Sequence, residues 1–215
     1  MVLPANLDAR AASALTARQE LLQAEAHAVL AHLDLPGRLG RLGPFEHIGS
    51  SASGLMVHRD LDVCVRGSSP TTAQVLEALH PVITHSGVHE IVYRDETGPR
   101  SPTGRPEDQR HYVVLRYDHH GHPWKIDITV WISPTPRPHL DEVDRLKREA
   151  TGAKRHAILW IKDTWHTRAE YNDTVGGIDV YTAVLDHDVR TPDEFAAYLR
   201  RRGTPASEVG RPAAP

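Results

Sequence analysis

The chain has 215 residues, a mass of 23.9 kDa and a formal charge of -3 at pH 7, with 40% hydrophobic and 25% charged residues. That balance supports a buried core and excludes wholesale disorder, and the near-neutral charge excludes a non-specific nucleic-acid binder. One cysteine excludes a disulfide framework and any zinc site built on paired cysteines. No apolar run approaches a membrane span and no secretory pattern opens the sequence, so the expectation is a soluble cytoplasmic protein without a membrane partner.

Residues 7–33 place Ala11, Leu15, Leu22, Ala26, Val29 and Leu33 at helical steps with polar residues between, and Leu35-Pro36-Gly37 stops that helix. Phe45–Ile48 alternates as a short strand and breaks at Gly49-Ser50-Ser51. Residues 55–65 end in a period-two strand. A helix over 71–80, entered through Ser69-Pro70-Thr71, is expected to be interrupted or to end near Pro81. Val88–Tyr93 is a strand. The polar, Pro- and Gly-rich stretch 94–110 reads as a mobile excursion, either a lid or a tolerated insertion, with the insertion preferred. Residues 111–117 and 124–132 form a hairpin. Helical patterns follow over 139–150, 153–166, 178–187 and 191–202, the last opened by Thr191-Pro192-Asp193-Glu194. The fold class is α/β, in the α+β sense. It has an N-terminal helix (1–36), a mixed five-strand core with one crossover helix (37–138), a helical subdomain (139–203) and a disordered tail (204–215).

The chemistry sits in residues 49–65. After Gly49-Ser50 come nine residues, then Asp60-Leu61-Asp62-Val63-Cys64-Val65. Strand side chains alternate, so Asp60 and Asp62 share one face while Leu61, Val63 and Val65 share the other. Two carboxylates side by side repel, and a divalent cation between them is the simplest remedy. Oxygen-only ligation suits Mg²⁺ or Mn²⁺. Asp127 interrupts the apolar series Ile126, Ile128 and Val130 and faces the other way, with Lys125 and Thr129. If its strand neighbours that of Asp60 and Asp62, three carboxylates converge, as two-metal chemistry on a phosphate requires. The Gly49-Ser50 turn offers backbone N–H groups and a hydroxyl to a triphosphate, with Gly49 permitting close approach.

The ordered set Gly49-Ser50 … Asp60-Leu61-Asp62-Val63, with Asp127 in the third place, resembles the signature of the DNA polymerase beta-like nucleotidyltransferases. Gly49-Ser50-Ser51-Ala52-Ser53-Gly54 is similar to the form found in small antibiotic and minimal members. Residues 155–165, with Lys162 and Trp165, resemble a helix of poly(A) polymerases, CCA-adding enzymes and oligoadenylate synthase-like enzymes, and Gly176–Tyr181 resembles their Gly-x-x-Ser-Tyr segment, with Val180 where Ser is usual. The resemblance implies a nucleotidyltransferase core followed by a helical subdomain, with the nucleotide in the cleft between them. It implies transfer of a nucleoside monophosphate from an NTP, ATP by default, to an acceptor hydroxyl with release of pyrophosphate. Asp60 and Asp62 would bind both metal ions, and Asp127 the catalytic one while accepting the acceptor's proton. Lys162 would neutralise the triphosphate. Tyr181 would either stack on the base or pack between helices.

Other features read more plainly. His119, His120 and His122 form a solvated turn in preference to a zinc site, and Cys64 is an inert thiol. One of Trp160 and Trp165, five apart on a helix, belongs to the core. His58 or Arg59 is a secondary candidate for a phosphate contact. The acceptor stays open among a small molecule, a nucleotide or RNA, and a protein. The rival readings are a non-catalytic nucleotide-binding or regulatory protein that keeps the fold, and a scaffold whose acids form surface pairs.

Overall fold

The computed structural model describes residues 3–171 and 174–204; from residue 205 on, the tail expected to be disordered lies outside the described residues. Five strands form one mixed sheet: β1 (Phe45–Ile48), β2 (Asp60–Arg66), β3 (Val88–Glu96), β4 (Arg110–His119) and β5 (His122–Trp131). Their order is β1-β2-β5-β4-β3. Only β2 and β5 run parallel; the other neighbours are antiparallel.

Period-two alternation explains the sheet. Leu61, Val63 and Val65 of β2, Val113 and Leu115 of β4, and Ile126, Ile128 and Val130 of β5 are buried on one face. Each such side chain contributes about 1.5–3 kcal/mol by leaving water. The helix α4 (Thr72–Ile83) packs on β3 and β4 and buries Val75, Leu79 and Val82. Thr71 caps it, accepting from the Gln74 N–H, while the Gln74 side chain accepts from the Thr71 N–H. The helix ends near Pro81, as expected, running two residues past it to Ile83. Pro81 lies in the last turn, where a lost N–H costs one bond, and Thr84 N–H still reaches the His80 carbonyl.

Two boundaries differ from the sequence reading. β4 and β5 approach to a two-residue turn, because His120 (φ 53°) and Gly121 (φ 79°) both adopt the left-handed conformation that a tight hairpin needs. β3 continues to Glu96, and the rest of the 94–110 stretch carries two short 3₁₀ turns. Local side-chain bonds hold it: Thr97 and Arg100 to Asp95, Gly98 N–H to Gln109, Thr103 to Asp108, and Arg137 to Asp108 and the Glu107 carbonyl.

The remaining helices are α1 (Ala9–His32), α2 (Leu35–Leu39), α3 (Gly49–Ser53), α5 (Pro138–Glu149), α6 (Gly152–Trp165), α7 (Gly177–Asp186) and α8 (Pro192–Arg201). The first helix ends as expected, and Leu35-Pro36-Gly37 then opens a short one. The chain divides into two compact units. One holds residues up to Leu22, Ser53–His58 and the chain from Asp144 on; the other holds Gln23–Ala52 and Arg59–Val143. The first unit is helical, with a core that includes Leu15, Leu55, Ile158, Trp165, Val180, Val184 and Phe195. Trp165 and Phe195 meet edge to face at 5.1 Å between centroids. Among the described residues, no helix is long and apolar enough to cross a membrane.

Candidate active site

The polar face of the sheet carries the acids. Parallel pairing sets Asp60 opposite Lys125 and Asp62 opposite Asp127, so these four side chains occupy one patch on the adjacent interior strands β2 and β5. Asp60, Asp62 and Asp127 each present a carboxylate oxygen within 4.8 Å of the others. The sequence placed the three on strand faces; the structure brings them together.

The Gly49-Ser50 turn lies in the same unit, between β1 and β2 in sequence. Antiparallel pairing puts Ile48 opposite Asp62, so the chain leaves β1 beside that acid. Gly49 has φ +71°, and a Cβ there would lie 2.2 Å from Asp62 Oδ2. Only glycine permits both the backbone twist and the close approach. The Gln23 side-chain amide donates to the Ser51 carbonyl, and the His47 ring meets the Ser51 hydroxyl at 2.8 Å, so the short α3 is held from two sides.

The electrostatics of the patch are coupled. Lys125 Nζ lies 2.5 Å from Asp127 Oδ2 and 3.5 Å from Asp60 Oδ1. Burial works against the Lys125 ammonium, but Asp60 and Asp127 more than offset it and raise its pKa. Burial pushes the Asp127 carboxyl above its ordinary value, with Asp60 adding to the effect and Lys125 opposing it. Tyr112, facing this patch from β4, has its phenol pushed up to about 12 by burial and by the negative charge of Asp127. Asp127 Oδ1 is buried, with no donor in hydrogen-bonding geometry among the described residues.

These donors fit a hard divalent cation. Three carboxylates supply oxygen ligands alone, and the buried Asp127 Oδ1 gains the partner that it otherwise lacks. Lys125 and Tyr112 are the site-face residues to which the sequence reading gave no role. The alternation of β5 had already put Lys125 on the Asp127 face; only the strand register adds Asp60.

In the helical unit, Lys162 and Tyr181 come together. Lys162 is 3% exposed, and its ammonium donates to the Leu55 carbonyl (2.7 Å) and the Tyr181 hydroxyl (3.1 Å). Tyr181 is buried and packs within the helical core, which is the packing alternative of the two expected for it. Leu55 lies on Ser53–His58, the segment of the same unit that precedes Asp60 in sequence, and Lys162 holds its carbonyl. His58 stacks on His166 with centroids 5.4 Å apart, and Arg59 pairs with Glu25 at 2.7 Å. Trp165 is the core tryptophan, whereas Trp160 lines a cavity of about 350 Å³ with Leu7, Ala11, Leu15 and the Arg18–Asp163 ion pair. Cys64 is buried with Glu46 beside it, and burial pushes its thiol up to about 12, in keeping with an inert group.

No protein-family model matches the chain, and no curated protein does. Solved structures do. Cid1, described by its RNA terminal uridylyl transferase activity, is similar at a TM-score of 0.51 and 19% identity, over 76% of this chain and 46% of its own. GLD-2, described as a non-canonical poly(A) polymerase, in complex with GLD-3 gives 0.50 and 12% identity over 79% and 57%. The GLD-2/RNP-8 complex gives 0.52 and 12% over 91% and 73%. This chain therefore spans about half the length of the first two. At such identities the likeness is one of fold, shared with these solved structures.

Proposed function

We propose that the chain is a metal-dependent nucleotidyltransferase that moves a nucleoside monophosphate from an NTP, ATP by default, to an acceptor hydroxyl and releases pyrophosphate. The observation that carries this reading is the convergence of Asp60, Asp62 and Asp127 on the adjacent strands β2 and β5. Bound Mg²⁺ or Mn²⁺ would lower the pKa of the attacking hydroxyl and stabilise charge on the leaving pyrophosphate.

In this reading Asp60 and Asp62 hold the cations on one side, and Asp127 completes the set. Asp127 is also the carboxylate assigned to accept the proton of the acceptor hydroxyl. Gly49 and Ser50 take phosphate oxygens through backbone N–H and hydroxyl. Lys162 and Tyr181 act by fixing the segment around Leu55 that precedes Asp60 in sequence. Cid1 is described by its RNA terminal uridylyl transferase activity and GLD-2 as a non-canonical poly(A) polymerase, which makes an RNA 3′ hydroxyl the first acceptor to supply.

The test is pyrophosphate release from each of the four NTPs with Mg²⁺ or Mn²⁺ and a short RNA, for wild type and Asp62→Asn, alongside thermal unfolding with NTP and metal. The expected result is release by the wild type alone, and an NTP-dependent stabilisation that needs metal. A ligand at one hundred times its dissociation constant adds about 2.7 kcal/mol. If no NTP stabilises the wild type in the presence of metal, the scaffold reading replaces the enzyme.

A further inference from the structure

The mechanism above gives Lys125 no part, yet its ammonium lies against the acids. Its ammonium engages two of the three carboxylates, Asp127 Oδ2 at 2.5 Å and Asp60 Oδ1 at 3.5 Å. The position is built in rather than incidental. Lys125 and Asp127 lie two residues apart on one strand and so share a face, and the β2–β5 register sets Lys125 directly opposite Asp60. In the metal-free protein it balances part of the repulsion that three clustered carboxylates create.

A divalent cation needs the same oxygens. Mg²⁺ takes carboxylate oxygens at about 2.1 Å, and an ammonium bonded to those oxygens would be left a few ångströms from the ion, in a partly buried site where like charges repel strongly. The Lys125 side chain is 28% exposed, twice the 14% of Asp127, and its four-carbon stem gives it a way out. We propose that Lys125 is a resident counter-ion that competes with the divalent cation: it holds Asp60 and Asp127 together before metal arrives and swings out when metal binds. Lys125 is then a residue that sets metal affinity, without being a ligand. This inference rests on reading the three carboxylates as the metal site.

The test measures Mn²⁺ affinity of metal-free protein by calorimetry for wild type, Lys125→Met, Lys125→Arg and Asp62→Asn. Lys125→Met should bind Mn²⁺ at least tenfold more tightly than wild type, and Lys125→Arg, which keeps the charge, should not. Urea unfolding without metal should show Lys125→Met less stable than wild type, with a larger gain on adding Mn²⁺. A second readout needs no folded variant. The chain has four lysines, so the side-chain Cε signal of Lys125 can be followed in ¹³C-lysine-labelled wild type and should move as Mg²⁺ saturates the site. If Lys125→Met binds Mn²⁺ no more tightly than wild type, or the Lys125 signal stays fixed at saturating Mg²⁺, the counter-ion role is wrong, while loss of binding in Asp62→Asn keeps the metal site. If neither wild type nor Lys125→Met binds Mn²⁺, both readings fall.

Discussion

Replacing Gly49 with alanine separates backbone strain from damage to the carboxylate cluster, because the hairpin supplies a matched control. Gly49 has φ +71° and Gly121 φ +79°, so each alanine pays a similar left-handed penalty of about 1–2 kcal/mol. At Gly121 a Cβ meets nothing within 4 Å. At Gly49 the same atom would lie 2.2 Å from Asp62 Oδ2 and 2.9 Å from its Cβ and Cγ, where real contacts stay above 3.0 Å. The Asp62 oxygen must therefore retreat by about 0.8 Å, beyond the ~0.5 Å within which a site keeps its geometry. Mn²⁺ affinity in Gly49→Ala should fall by about 10–100-fold, the usual cost of disturbing what orients a metal ligand. Gly121→Ala should lose about 1–2 kcal/mol in urea unfolding and keep wild-type affinity. Calorimetry with Mn²⁺ on both variants decides. Wild-type affinity in Gly49→Ala would refute the argument that this glycine exists for Asp62.

Two other expectations concern buried polar groups. Lys162→Met removes the ammonium from the Leu55 carbonyl and the Tyr181 hydroxyl inside the helical core, and should cost about 1–3 kcal/mol of unfolding free energy; a variant as stable as wild type would mean that the buried ammonium is structurally idle. Cys64 should resist thiol reagents at pH 8 until the protein unfolds. Its thiol titrates near 12 in the folded chain against about 8.5 when free, so its contribution to stability is complete below about pH 8.5 and is lost as pH rises towards 12. A denaturation series over that range, with Cys64→Ala as the reference lacking the thiol, checks the sign.

The parts of the site that sequence displayed are those that alternation controls. Asp60 and Asp62 fall on one face of a strand whose other face is Leu61, Val63 and Val65, and Asp127 falls opposite Ile126 and Ile128, whatever the strands do next. Which strands are neighbours is a tertiary matter. No local pattern says that Asp62 sits opposite Asp127, or that Lys125 sits opposite Asp60, so the counter-ion was invisible even though its strand face was known. Burial was similarly hidden for Lys162, because a lysine at that helical position reads as a charge for a ligand until the Leu55 carbonyl and Tyr181 hydroxyl are seen around it. The 94–110 stretch misled for another reason. Its composition signals loop, but the bonds of Thr97 and Arg100 to Asp95 and of Arg137 to Asp108 are side-chain pairings that no periodicity records.

In the proposed site, the parallel pairing of β2 with β5 ties metal recognition to the order in which the polypeptide is made. Asp62 and Asp127 are 65 positions apart, and their strands meet only after α4, β3 and the β4–β5 hairpin have been laid down. A growing chain that has emerged through β4 owns two of its three acids and has no Lys125. A slip of one residue between the parallel strands would turn Asp127 to the Ile126–Ile128 side and leave a carboxylate among aliphatic groups. If the proposed site takes up a divalent ion, that uptake reports correctly registered topology, readable during refolding as a signal that appears with the β2–β5 pair and not with the hairpin.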